Sequence, residues 1–96
     1  MSNDSTQSFK DAFGQFLKEE HLDQKFQQKR LIESWERIMG RPIASRTTKM
    51  FFKGKTLFVE LSSASLKDEL NRSTEIVLSR IRENSEKMIV DQVKFI

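Results

Sequence analysis

From Ser8 onward the apolar residues Phe9, Ala12, Phe13, Phe16 and Leu17 fall three and four positions apart, the spacing of one face of an α-helix. Gly14 lies within that pattern and costs about 1 kcal/mol relative to Ala. Residues 1–7 are polar without a period and read as a flexible tail ahead of one domain over 8–96. A second helical stripe follows at Leu22, Phe26, Leu31, Ile32, Trp35, Ile38 and Met39, with Asp23 positioned to cap its start. Gly40 then supplies a left-handed stop, and Pro42 forbids continuation.

Beyond Pro42 the period shortens to two. The runs 47–53 and 56–62 flank Gly54 as a β-hairpin. In the second run Leu57, Val59 and Leu61 share one face and Phe58 and Glu60 the other; in the first, Met50 and Phe52 point to that same core. Ser63 or Ser65 opens a third helix whose stripe is Leu66, Leu70, Val77 and Ile81, widened by Ile76 and Leu78 and ending near Asn84. Residues 88–96 form a third strand, with Ile89, Val93 and Phe95 opposite Val90, Gln92, Lys94 and Ile96. The order α-α-β-β-α-β predicts an α+β domain, a three-stranded sheet packed with helices.

At 36% hydrophobic and 32% charged, the chain is apolar enough to fold and too polar to span a membrane. The start lacks the basic and apolar regions of a secretory signal, so a soluble, cytoplasmic protein is expected. There is no cysteine and one histidine, which excludes disulfides, thiolate nucleophiles and multi-histidine metal sites. Gly14, Gly40 and Gly54 are too far apart for a phosphate-cradling loop. His21 reads as a solvent-facing residue at a helix end. No cofactor and no metal are expected, and the chain is not expected to be an enzyme.

The net charge is only +3, but its placement is uneven. Between Glu36 and Glu60 there is no acidic residue, while Arg37, Arg41, Arg46, Lys49, Lys53 and Lys55 supply six positive charges. The rest of the chain carries 14 acidic side chains against 11 basic ones. Segregated positive charge favours phosphate backbones or acidic protein surfaces. Arg37 and Arg41 also complement the negative end of the second helix. On the outward face of the sheet, Lys49, Phe51, Lys53 and Phe58, with Lys94 from the third strand, interleave cations and rings. That pattern suits single-stranded nucleic acid, the cations for phosphates and the rings, Phe51 and Phe58, for stacking. The alternative is that the first helix lays Phe9, Phe13 and Phe16 over this face, making Phe51 and Phe58 core. Trp35, in register with its stripe, reads as a core anchor, against the alternative of an aromatic exposed at a partner interface.

An ordered series of short motifs resembles the DciA-like family. It comprises Trp35-Glu-Arg-Ile38-Met-Gly40-Arg-Pro-Ile43-Ala44, Thr47 or Thr48, Lys53-Gly54-Lys-Thr-Leu57-Phe-Val59 and Ser63-Ala-Ser-Leu66-Lys-Asp-Glu69-Leu70. The likeness covers about residues 22–96. Leu66 stands where the family pattern usually has a second Trp. The resemblance implies a KH-like domain in a bacterial protein that binds and helps load the replicative DNA helicase, with affinity for DNA. No Gly-x-x-Gly occurs, so the backbone clamp of ordinary KH domains is not expected. Longer members carry a basic extension after the domain, whereas this chain stops at Ile96. The leading expectation is thus a non-enzymatic adaptor that binds DNA, without sequence specificity, through the basic block and contacts the helicase. A module docking an acidic protein partner without nucleic acid is the second.

Overall fold

A computed structural model describes residues 2–85 and 89–96, with side chains from Ser8 onward. Three helices open the chain: α1 (Ser2–Glu33), α2 (Trp35–Met39) and α3 (Arg41–Ala44). A hairpin follows, β1 (Thr47–Lys53) and β2 (Thr56–Leu61). Two further helices, α4 (Ala64–Asn71) and α5 (Thr74–Glu83), lead to β3 (Gln92–Phe95). The sheet order is β1-β2-β3, with β1 antiparallel and β3 parallel to the central strand. The architecture is α+β, as the order of patterns predicts.

The N-terminal helices depart from expectation. The pattern predicts two, divided near Asp23; α1 instead runs without a break from Ser2 to Glu33, through most of the segment read as a tail. The stretch from Leu17 to Arg30 contains neither Gly nor Pro and is rich in strong helix formers, so nothing in it forces a stop. The continuous phase also revises the stripe. Leu22 lies nine residues, two and a half turns, before Leu31, hence on the opposite side of the helix. Leu22 and Phe26 are accordingly exposed, while Gln28 and Leu31 are buried. Phe9, Phe13, Phe16 and Leu17 are also exposed, because the first half of α1 extends away from the body and stretches the molecule to 65 × 21 × 20 Å. His21 is exposed as predicted, but inside α1 rather than at a helix end.

Gln28 is the buried polar side chain that ties α1 to the sheet. Its Nε2 donates to the carbonyls of Gly54 (2.9 Å) and Ile89 (3.3 Å), fastening the hairpin turn and the approach to β3 onto one helix. Trp35 is buried, as its place in the stripe predicts, and its Nε1 donates to Thr47 Oγ1 at 3.1 Å. The Thr47 hydroxyl in turn donates to the Ile43 carbonyl at 2.9 Å. Gly40 ends α2 at φ +87°, ψ 162°, backbone that side chains with a Cβ avoid. The stop at Gly40 is where the sequence predicts it, but Pro42 does not keep the chain out of helix beyond it. Pro42 lies in the first turn of α3, where its missing N–H is no loss.

The predicted third helix is two helices. Ser63 caps α4, accepting from the Leu66 N–H at 3.3 Å, and the helix ends at Asn71. The Asn71 side chain turns to β3, where Oδ1 accepts from the Phe95 N–H (3.0 Å) and Nδ2 donates to the Phe95 carbonyl (2.8 Å). This pair satisfies the N–H and carbonyl of Phe95 on the outer edge of β3, and the chain turns at Arg72 and Ser73 before α5 resumes. Ile76, expected in the buried stripe, is exposed because α5 has its own phase. The third strand begins at Gln92 rather than 88. Met88 lies outside the described residues, and Ile89 and Val90 are both buried ahead of the strand, where the chain does not yet alternate.

The core lies between the helices and one face of the sheet. Leu57 and Val59 of β2, flanked by Val93 and Phe95 of β3, meet Trp35, Ile38, Leu70, Val77 and Ile81. Met50, Phe52 and Leu61 pack against this cluster from the sheet, as their alternation predicts.

Two substitutions test these joints. Gly40→Ala should cost about 1–3 kcal/mol in urea unfolding, through backbone strain rather than crowding. A Cβ there would meet only Pro42 Cδ, at 3.7 Å. Asn71→Ala should cost about 1–3 kcal/mol by leaving the Phe95 amide and carbonyl unpaired.

Candidate nucleic-acid interface

With Leu57 and Val59 turned into the core, the alternate residues of each strand must occupy the other face of the sheet. Register then fixes a small grid. Phe51, Phe58 and Lys94 lie side by side across the three strands. Lys53, Thr56 and Gln92 form the row toward the hairpin turn, and Lys49 faces Glu60 in the row beyond. Ile96, continuing the alternation of β3, is exposed. The two-residue turn is Gly54-Lys55, with positive φ at Gly54 (+59°) alone, and it leaves Lys55 exposed at the tip.

Phe51 and Phe58 are half-buried and stacked on each other, their centroids 5.1 Å apart and their planes 8° from parallel. Three ammonium groups surround the pair. Lys49 Nζ lies 5.4 Å from the Phe51 centroid, while Lys53 Nζ and Lys94 Nζ lie 5.8 and 5.9 Å from that of Phe58. At such distances the ring quadrupole attracts each cation by about 0.5–1 kcal/mol at an exposed site. The face is therefore a short aromatic ridge with positive charge along its flanks. Helix α1 does not cover it, since Phe9, Phe13 and Phe16 keep between 52% and 70% of their surface exposed.

The structure divides the basic block. Lys49 and Lys53 reach the ridge, and Lys94, far from the block in sequence, joins them. Arg41 on α3 and Arg46 just before β1 are exposed, and neither is among the cations over the rings. Arg37 belongs elsewhere. With Arg30, Ser34 and Asn84 it lines a cleft of about 170 Å³ between α1, α2 and the end of α5. Nothing in the sequence singles out Arg30, which stands among the mixed charges of α1 with no local excess to mark it. Among the described residues no group of three His, Asp or Glu side chains is arranged to hold a metal ion.

A family model described as Dna[CI] antecedent, DciA, matches residues 8–95. The chain belongs to the DciA family. No curated protein and no solved structure matches the chain. The family match takes in the whole hairpin, β3 and most of α1, so the ridge and its three lysines lie within the part of the chain shared with DciA.

The ring pair should be energetically coupled. A double-mutant cycle with Phe51→Leu and Phe58→Leu should show an interaction of about 0.5–1.5 kcal/mol in unfolding free energy. Simple additivity would mean that the stack contributes nothing of its own.

Proposed function

We propose that this DciA-family chain is a non-enzymatic adaptor of the replicative helicase that holds DNA against the open face of its sheet. The observation that carries the DNA part is the convergence of Lys49, Lys53 and Lys94 around Phe51 and Phe58 on a face no helix covers. Phosphate binding by the lysines is the primary interaction. The rings stack on each other and have ammonium groups over them, so a base stacks only by displacing a lysine. Lys55 at the turn and the exposed Arg46 just before β1 add positive charge near this face. Arg37, in its separate cleft, contributes little. The helicase part rests on family membership. The second reading, an acidic protein partner on the same lysines, is supported by the same charge.

Fluorescence anisotropy with labelled single- and double-stranded oligomers across a salt series tests the proposal. For every phosphate no longer neutralised by a lysine, the slope of log affinity against log salt falls by about 0.7–0.9. Lys49→Gln/Lys53→Gln/Lys94→Gln should therefore flatten the slope by about 2–3, with Arg37→Gln leaving it nearly unchanged. Equal binding by wild type and triple variant would remove DNA from this face. Capture of the helicase that survives nuclease treatment but fails with the triple variant would assign the face to protein instead.

A further inference from the structure

Two apolar surfaces of this chain lack a partner among the described residues, and they suit each other. One is the stripe on the first half of α1, where Phe9, Phe13, Phe16 and Leu17 are each more than half exposed. The other is the ridge of Phe51 and Phe58 with Ile96 beside it. Their dimensions match. Phe9 to Leu17 spans about 12 Å along a helix, and Lys49 to Lys53 about 13 Å along a strand. Three strands at about 4.8 Å spacing offer a bed about 10 Å wide, close to the diameter of one helix.

Their charges are opposite. Residues 8–23 carry four acidic side chains against two lysines, and the sheet face carries three lysines against Glu60. Glu20 lies on the line of Phe9, Phe13 and Phe16, one turn farther along, where it meets a lysine when the stripe lies on the ridge. Pairing sheet face with sheet face would instead set lysines against lysines. Pairing stripe with stripe would leave the ridge open.

The helix cannot reach its own sheet. It is continuous from Ser2 to Glu33, and Gln28 fixes its second half to Gly54. Phe9 is therefore carried about 28 Å along the axis from that anchor. We propose that the first half of α1 docks on the open sheet face of a second copy of this chain, the two copies exchanging helices to form a dimer. This goes beyond the DNA reading and does not depend on it. The two occupants share the face, so nucleic acid and the second copy exclude each other there.

Sedimentation equilibrium of the full chain without nucleic acid, at about 100 μM protein, tests the proposal. The absence of cysteine removes disulfide-linked species from the measurement. A dimer is expected. Phe13→Ser/Phe16→Ser, Lys53→Glu/Lys94→Glu and Glu20→Lys should each weaken it about tenfold or more. All five positions are exposed, and circular dichroism checks that helix content is retained. The Glu20 variant leaves the apolar stripe intact, separating a failure of docking from a failure of the helix. A wild-type monomer overturns the proposal, and so does a dimer indifferent to any one of the three variants.

Discussion

The alternation of β2 is the constraint from which the rest of the structure follows. Leu57 and Val59 have no exposed surface, because the central strand is walled by β1 and β3 at its edges and by the helices on one face. Fully burying two such side chains contributes about 1.5–3 kcal/mol each, and a one-residue slip of register would turn both out to water. The same alternation leaves Phe58 and Glu60 no choice but the opposite face. Phe51 and Lys94 follow through pairing with β2. The candidate interface is thus a consequence of where the core lies, with Lys49 and Lys53 set beside the rings by the period of the strand.

A second constraint is the way distant segments are fastened to this sheet. Gln28 bonds to both the turn carbonyl of Gly54 and the carbonyl of Ile89. Asn71 closes the free edge of β3 at Phe95, and Trp35 reaches the first residue of β1 through Thr47. These polar joints hold helices against strands from different parts of the chain. They fix the tilt of the layers, which apolar packing alone, being non-directional, specifies weakly.

Period-two alternation makes the hairpin and the outward set Lys49, Phe51, Lys53, Phe58 and Lys94 legible in the sequence. Helical spacing likewise finds Trp35, Ile38, Leu70, Val77 and Ile81. Local continuity is what the pattern does not carry. Leu22 and Phe26 fit a buried stripe only if a helix begins near Asp23, and the phase of an uninterrupted α1 turns them outward. The break after Asn71 has no Gly or Pro to mark it, since it depends on a hydrogen bond to a strand 24 residues away. The charge window around Arg37 groups residues by proximity in sequence. Folding sends Arg37 to a cleft with Arg30 and brings in Lys94, which lies well outside the window.

We propose that the uncovered sheet face, rather than the cleft at Arg30 and Arg37, is where this DciA-family chain holds nucleic acid. Titrating isotopically labelled protein with a single-stranded oligonucleotide and following the backbone amide resonances tests it most directly. Shifts concentrated along β1 and β2 and at residues 92–96 are expected. Shifts gathered at Arg30, Arg37 and Asn84, with the sheet silent, would contradict it.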